Sequence, residues 1–381
     1  MKAKRLSLAT ATAFSLCLIA CGEQAASGQR ASSSQATAAG LTNAEFVRLI
    51  EQFSEPGGYF DTDNLISNET SYLHVIGEME ELDVEGGVYV GVGPSQNFSY
   101  IAQVRPEIAF IIDIRRDNLL QHLLFKALFG LSSTRIEYLC LLTGTPFPED
   151  PQEWSDRPIS ELIAYIDSAP STELTISNTR RAVVERVSEF GVALDAEMLA
   201  TIEGFHREFV EAGLSLRFQS FNRAPRPDYP TLRQLLLETD RSGEQRNFLA
   251  TEDKFQFVKS LEDKNLVVPV VGDLAGSHAL SEIGKYVADR DQTISALYTS
   301  NVEFYLVRQG SFLSFAQTVS ELPIDERSVI IRSYFNRGFS RRLPQYVPGY
   351  NSTQLLQKIE TFVTGYEQGR FRTYWDIIGG G

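Results

Sequence analysis

Cysteine is scarce in this chain, and its scarcity limits the available chemistry. Only three cysteines occur in 381 residues, at Cys17, Cys21 and Cys140. The first two lie in or directly after an N-terminal segment with the pattern of a removable signal, so Cys140 alone would remain in the folded domain. One cysteine cannot form an intramolecular disulfide. The mature domain must therefore be stable through its core.

Histidine is also rare, and familiar catalytic motifs are missing. The chain contains no Gly-x-Ser-x-Gly elbow, no Walker loop and no His-Glu-x-x-His sequence. These absences disfavour serine hydrolases, P-loop NTPases and metalloproteases. The four histidines show no metal-ligand spacing with one another or with Cys140, so we expect no metal. They are His74, His122, His206 and His278.

Positive charge is in deficit, with 35 basic against 49 acidic residues and a net charge of −14. Loss of three basic residues with a signal peptide would take the net charge to about −17, which repels polyanions. We therefore expect no nucleic-acid partner. The chain also contains local pairs of arginines. Such pairs usually lie on solvated faces or act as ion-pair partners. They are Arg115-Arg116, Arg180-Arg181 and Arg341-Arg342.

The N-terminus has the pattern of a bacterial lipoprotein signal. Three basic residues precede an uncharged apolar stretch from 6 to 20, which ends directly before Cys21. A basic start, a short apolar segment and small residues before the cut define a secretory signal, which is too short to span a bilayer stably. We predict a signal peptide over 1–20 and lipidation of Cys21. The alternative is an ordinary secretory peptide with an incidental cysteine.

The residues after Cys21 favour an anchored domain. Gly22 at the second mature position resembles lipoproteins that are forwarded to the outer membrane, so we expect a lipid-anchored protein of the cell envelope at that membrane. Residues 21–40 are rich in Ala, Ser, Gln and Gly and cannot bury a core, which predicts a flexible tether. Folding is expected to begin near Leu41, with one elaborated domain over 41–381.

A strand–turn–helix pattern begins near residue 86. Val88-Tyr89-Val90 reads as a buried strand, followed by the turn Gly91–Asn97 and a helix from Phe98. A second apolar strand, Ile108–Ile112, ends at Asp113. This is the layout of a Rossmann-type nucleotide site. Glycines admit the ligand to the backbone, the helix N-terminus offers free N–H groups, and the acid accepts hydrogen bonds from ribose hydroxyls.

The details of this turn narrow the ligand class. Gln96 stands where the dinucleotide fingerprint has its third glycine, which disfavours NAD and favours a mononucleoside. In the alternative interpretation, Gly91 and Gly93 make only a tight turn and Asp113 caps the following helix. A strand-end carboxylate is expected to contribute little to the core. The predicted fold class is α/β, a Rossmann-like sheet with helices on both faces.

The order of these elements resembles the class I S-adenosylmethionine-dependent methyltransferases. In that family a Gly-x-Gly loop follows the first strand, an acid ends the second, a Gly-Asp-like step ends the third, and a polar segment follows the fourth. The matching residues here are Gly91 and Gly93, Asp113, Gly272-Asp273 and Ser300-Asn301. Together with Tyr59-Phe60 through Asn68-Glu69 and residues 112–116, they look like an uncharacterised bacterial family of methyltransferase-like proteins.

The resemblance implies a methyltransferase-type sheet and an S-adenosylmethionine site. It extends over 86–130 and 265–336. The chain departs from the family in a glycine-poor loop and in lacking the Asn/Asp-Pro-Pro-Tyr segment of amino-methylating enzymes. The implied cofactor-binding residues are Gly91, Gly93, Ser95, Asn97, Asp113, Asp273, Ser300 and Asn301.

The interval of about 144–260 is longer than such a fold requires and predicts a helical insertion. Ile159–Ile166 and Arg180–Phe190 have helical spacing, and Asp195 is expected to cap a helix that reaches Ala212. Residues 218–229 form a loop containing Pro and Arg. Insertions of this kind either cover a site, dock a partner or add bulk.

Three further polar residues lie near the predicted site. His122 and Lys126 are four residues apart on a predicted helix over 117–130, where they face the ligand or solvent. His278 follows the Gly272-Asp273 step on a strand-end loop and is a candidate for lining a pocket.

Two functional hypotheses result. In the first, an anchored lipoprotein binds S-adenosylmethionine or a similar nucleoside and transfers its methyl group, a reaction that needs positioning more than catalytic side chains. In the second, a degenerate methyltransferase fold serves as a non-catalytic envelope module that binds a protein or a small molecule. S-adenosylmethionine is made in the cytoplasm, whereas the predicted signal exports the domain. The fold alone does not decide between the two.

Overall fold

Six strands form the central sheet of the computed structural model, which describes residues 39–169, 171–221, 227–336 and 342–379. Their order in the sheet is β3-β2-β1-β4-β5-β6. All neighbours are parallel except β5 and β6, which are antiparallel. The strands are β1 (Val88–Gly91), β2 (Ile108–Asp113), β3 (Val267–Val271), β4 (Ile294–Ser300), β5 (Val329–Phe335) and β6 (Ser352–Lys358).

The predicted α/β, Rossmann-like fold is confirmed. The two strands predicted from apolar runs are β1 and β2, and the polar steps Gly272-Asp273 and Ser300-Asn301 lie at the ends of β3 and β4. Every residue of β1, β2 and β3 is buried, as expected for a parallel sheet covered on both faces. The order 3-2-1-4-5-6 places the reversal of strand order between β1 and β4. In doubly wound sheets, ligands bind beside this reversal, at the carboxyl ends of the strands.

Fifteen α-helices occur in the described residues. They are α1 (Asn43–Phe53), α2 (Ile76–Glu81), α3 (Gln96–Val104), α4 (Arg116–Leu131), α5 (Arg135–Thr143), α6 (Ile159–Ser168), α7 (Glu173–Ser188), α8 (Ala196–Ala212), α9 (Leu232–Leu237), α10 (Glu252–Asp263), α11 (Ala279–Ala288), α12 (Val302–Gln309), α13 (Phe312–Ser320), α14 (Ile359–Glu367) and α15 (Tyr374–Ile378).

The helices pack in two groups, as right-handed crossovers require. Helix α10 contacts both α3, which packs on β1 and β4, and α4, which packs on β2 and β3. Helices α1 and α11 pack together against β3 and β2. Helix α1 begins after Thr42, which forms a capping box with Glu45.

The long interval between α5 and β3 contains α6, α7, α8, α9 and the crossover helix α10. Helices α7 and α8 pack against α4, and α6 packs against α5 and α9. Asp195 caps α8, as expected, by accepting a hydrogen bond from the amide of Met198 at 2.8 Å. Most of this interval therefore adds a second helical layer behind α4.

The predicted signal peptide, the lipidation site Cys21 and the tether up to residue 38 lie outside the described residues. Within the described ranges, none of the helices combines the length and apolar character that a membrane crossing requires. All described residues belong to one folded unit.

Candidate functional site

A cleft opens over the carboxyl ends of β1, β2, β3 and β4, beside the reversal of strand order. It contains about 1100 Å³ of space, its open mouth included. Strand ends supply Val92, Gly93, Gln96, Ile112, Asp113, Ile114, Arg115, Gly272, Asp273, Leu274, Ser300 and Asn301 to its lining. Surrounding elements supply Tyr59, Phe60, Thr62, Asn64, Ser67, Asn68, Glu69, Phe218, Tyr229, Val302, Tyr305, Leu306 and Gln309.

The structure brings five of the eight sequence-predicted binding residues together around this cleft. They are Gly93, Asp113, Asp273, Ser300 and Asn301. The other three, Gly91, Ser95 and Asn97, are not among its lining residues. Of the described residues of the long insertion, Phe218 and Tyr229 reach the cleft, so the insertion both adds bulk and supplies one wall.

Asn97 holds the loop between β1 and α3 from inside. Its side chain is fully buried, and Nδ2 donates to the carbonyl oxygens of Val92, Gly93 and Pro94 at 3.0, 3.1 and 2.7 Å. Tyr89 Oη donates to Asn97 Oδ1 at 2.8 Å. The position of Asn97 is thus explained by the shape of the loop, which it fixes.

The two glycines of the loop are needed for different structural reasons. A Cβ on Gly91 would lie 2.0 Å from Asn97 Oδ1, so the buried amide excludes any side chain there. Gly93 has φ +86°, a left-handed conformation that favours glycine. Gly91 therefore serves packing, whereas Gly93 turns the backbone at the cleft.

His122 supports the same loop from α4. Its Nε2 lies 2.9 Å from the carbonyl oxygen of Gly93. Burial lowers the pKa of His122 to about 4, although the Gly93 carbonyl and Asp113 oppose the shift. The neutral ring therefore carries its proton on Nε2 and donates it to Gly93.

The expectation that His122 and Lys126 face ligand or solvent is wrong. His122 is 2% and Lys126 5% exposed, and Lys126 pairs with Glu262 of α10 inside the helical layer. His278 is not among the residues that line the cleft, and its Nε2 lies 2.8 Å from the carbonyl oxygen of Gln52.

Asp113, at the end of β2, is bound by Arg115. The Nε and Nη2 atoms of Arg115 donate to Oδ1 and Oδ2 of Asp113 at 3.2 and 3.0 Å, and the amide of Arg115 donates to Oδ1 at 2.9 Å. Arg115 Nη1 also donates to the carbonyl oxygens of Thr62 and Asp63 at 3.5 and 3.0 Å. Arg115 is thus an ion-pair partner, and Asp113 anchors a neighbouring segment as well as ending a strand.

The segment before the first lining residues crosses the ends of β2 and β3. The amide of Glu55 donates to the carbonyl of Val271 at 2.9 Å, and that of Gly58 to the carbonyl of Ile114 at 2.7 Å. Beyond it, the ring of Phe60 packs edge-on against Tyr305 of α12, with centroids 4.9 Å apart. The aromatic residues that follow this segment therefore form, together with Tyr305, a wall over the strand ends.

Glu69 is the functional candidate that sequence reasoning did not select. It lines the cleft but is only 1% exposed. Tyr298 Oη and Gln354 Nε2 donate to its Oε2 at 2.7 and 3.0 Å, and Ser300 Oγ donates to Oε1. Burial raises the pKa of Glu69, against these hydrogen bonds. Ser300 itself has φ +52°, an unusual conformation for a residue with a side chain.

Two buried acceptors on the cleft have no partner in the described structure. They are Gln96 Oε1 and Thr62 Oγ1. The Nε2 of Gln96 donates to Tyr298 Oη at 3.2 Å, which fixes the direction of its amide. Because buried polar groups are normally satisfied, both atoms are suited to hydrogen-bond donors of a ligand.

The charged groups of the described lining are three carboxylates and one guanidinium. Glu69, Asp113 and Asp273 face a single Arg115, which already pairs with Asp113. The lining therefore favours neutral or cationic ligands over phosphates. In the described ranges, no group of three or more His, Cys, Asp or Glu residues is placed to hold a metal ion.

Residues 65–148 and 175–366 match a family described as a domain of unknown function, DUF7790. The chain belongs to this family. The DUF7790 match includes all six strands, Glu69 and the strand-end residues of the cleft, and it begins after the segment that crosses β2 and β3. No curated protein matches the chain.

Proposed function

We propose that the cleft binds a nucleoside of the S-adenosylmethionine class, and that the domain acts at the cell envelope through a lipid on Cys21. The observation that carries the ligand proposal is the meeting of Gly93, Asp113 and Asp273 around one cleft at the carboxyl ends of β1, β2 and β3, beside the reversal of strand order. In doubly wound sheets this is where nucleotides bind.

The chemistry of the lining fits such a ligand. The negative charge of the cleft suits a sulfonium and disfavours the pyrophosphate of a dinucleotide. Gln96 Oε1 and Thr62 Oγ1 would accept hydrogen bonds from hydroxyl or amino groups. The aromatic wall of Tyr59, Phe60 and Tyr305 offers faces against which a base can pack.

Asp113 would accept fewer hydrogen bonds from the ribose hydroxyls than its position at the strand end leads us to expect. A carboxylate has about four acceptor sites. Arg115 donates three hydrogen bonds to Asp113, two of them to Oδ1. The remaining capacity on Oδ2 suits one ribose hydroxyl rather than two.

When bound, S-adenosylmethionine would supply a methyl group for transfer to an acceptor. The residues of this chain would bind and orient the cofactor and the acceptor, and they would exclude water from the cleft. Positioning of this kind is the contribution that a protein makes to such a reaction. The second candidate is a non-catalytic binding module. The pairing of Asp113 with Arg115 favours it, because the pair satisfies most of the carboxylate without a ligand.

The test is calorimetric titration of the full chain with S-adenosylmethionine, S-adenosylhomocysteine and adenosine. Saturable heat with S-adenosylhomocysteine, and weaker heat with adenosine, would support the nucleoside site. Absence of heat or thermal shift with all three at millimolar concentration would overturn it and leave the non-catalytic module. Once binding is found, methyl transfer from labelled S-adenosylmethionine to envelope extracts separates the enzyme from a binding protein.

A further inference from the structure

Glu69 differs from the other buried carboxylates of the described residues because it has no basic side chain beside it among those residues. Four of the five buried acids in the described structure pair with a basic side chain, in the pairs Asp113–Arg115, Asp240–Arg246, Glu262–Lys126 and Glu303–Arg332. Glu69 has no such partner among the described residues. A buried carboxylate without a counter-charge is costly unless something else compensates it.

The hydrogen-bond network around Glu69 is arranged for an ionised carboxylate. Gln354 Nε2 donates both to Glu69 and to Tyr100 Oη, and Tyr100 in turn donates to the carbonyl of Tyr72 at 2.6 Å. Tyr298 donates its only proton to Glu69. These neighbours donate to the carboxylate, and such donors favour the charged form, whereas burial raises the pKa of Glu69. A cation bound beside it would favour the charged form.

Glu69 lies at the opposite end of the cleft from Asp113. Its partners Tyr298 and Ser300 belong to β4, whereas Asp113 ends β2, and β1 lies between the two strands. Neighbouring strands are about 4.8 Å apart, so the ends of β2 and β4 are separated by roughly 10 Å. The two carboxylates therefore serve different parts of the cleft.

We propose that Glu69 forms a second subsite, at the β4 end of the cleft, which binds the ammonium group of an amine-bearing small molecule. The ligand would supply the counter-charge that the described residues do not. Tyr305 of α12 and Phe60 line the cleft beside this end and can pack against an apolar or aromatic body attached to the ammonium. The inference rests on the proposed function, since the amine would be the second ligand beside the nucleoside.

The test uses three probes of one shape and different charge. Tyramine carries an ammonium, tyrosol a hydroxyl and 4-hydroxyphenylacetate a carboxylate on closely similar phenol frames. Titrated into the full chain, tyramine should bind about ten- to a hundredfold more tightly than tyrosol, the range of a charge-assisted hydrogen bond, and the carboxylate should bind least. Equal binding of tyramine and tyrosol by the wild type would overturn the proposal without any variant.

The variant Glu69→Gln tests whether the preference for tyramine over tyrosol depends on Glu69. Asp273→Asn is its matched control. Both variants remove one negative charge from the cleft, but Asp273 follows β3, on the far side of β2 and β1 from β4. Glu69→Gln should abolish the preference for tyramine, whereas Asp273→Asn should retain most of it. Equal losses in the two variants would show a general effect of charge and overturn the subsite.

Adenosine keeps this test separate from that of the nucleoside site. It carries no ammonium, so Glu69→Gln should weaken its binding far less than it weakens the binding of tyramine. Tyramine binding without adenosine binding would contradict the proposed function and support the amine subsite. The reverse result would support the nucleoside site and overturn the subsite.

Discussion

Arg115 donates from its side chain to both carboxylate oxygens of Asp113, two residues before it, and both side chains are buried. The same guanidinium reaches the carbonyl oxygens of Thr62 and Asp63. One ion pair therefore joins the end of β2 to the segment that lines the cleft. The stability of the site and its binding chemistry depend on the same carboxylate.

Asp113→Ala should destabilise the protein as well as weaken nucleoside binding. Removal of one partner of a buried pair leaves an uncompensated charge and typically costs about 3–5 kcal/mol. Denaturant unfolding measures the free energy of unfolding. Asp113→Asn is the control, because it keeps an acceptor for the amide of Arg115 and should lose less. Wild-type stability in Asp113→Ala would contradict the structural part of this role.

Asn97→Ala should destabilise the β1–α3 loop by about 2–4 kcal/mol, because it leaves the Tyr89 hydroxyl without its acceptor and removes the side-chain donor to three loop carbonyls. Asn97→Asp keeps the acceptor for Tyr89 but loses the donor to the loop carbonyls, so both its stability and its ligand affinity should also fall. Thermal unfolding with and without adenosine checks this. Unchanged stability in both variants would show that the loop does not depend on Asn97.

His122 should make stability fall in mild acid. Its pKa is lowered from 6.5 to about 4 in the folded protein, so the unfolded chain binds its proton first as the pH falls. The stabilising contribution is complete above about pH 6.5 and is lost as the pH decreases toward 4. His122→Gln keeps an N–H donor for Gly93 but does not titrate. Urea unfolding at several pH values should therefore show a smaller acid loss in the variant, and equal losses would contradict the assignment.

Cys21→Ser should release the protein from membrane fractions, because Cys21 is the cysteine directly after the predicted cleavage site, where a lipoprotein carries its thioether-linked lipid. Fractionation of the wild type and variant measures this directly. Mass spectrometry of the N-terminal peptide should find acyl chains on the wild type only. Membrane pelleting of both proteins, with no lipid mass on the wild-type peptide, would refute the anchor.

The strands that position the cleft could be predicted because their signals are local. Apolar runs end in glycine or an acid at β1, β2 and β3; Asp113 could be placed at a strand end from its run, whereas Asp273 was placed there by the resemblance to methyltransferases. Helix caps such as Thr42 and Asp195 are local as well. The register between strands and the antiparallel edge strand β6 depend on distant residues and were not predicted.

The identity of the central side chains in the cleft could not be predicted for the same reason. Glu69 lies in a polar stretch, Ser67 to Tyr72, that reads as a loop. Its side chain is held in the interior by hydrogen bonds from Tyr298, Ser300 and Gln354, and Gln354 lies 285 positions away along the chain. The burial of His122 beneath Gly93 likewise depends on how α4 packs. The apolar residues around Glu69, at Leu65, Ile66, Tyr72 and Leu73, were the one local signal that this stretch is covered.

The helical layer behind α4 has a consequence for the rate at which the domain folds. Strands β2 and β3 are neighbours in the sheet, yet the whole of α4 to α10 separates them along the chain. The entropy of closing so long a loop must be overcome before their hydrogen bonds form, and non-local parallel pairing is slow. Helices α7 and α8 pack on α4, and their docking before the strands pair would shorten the effective loop. Substitutions that weaken this docking should therefore slow refolding, even though they lie far from the cleft.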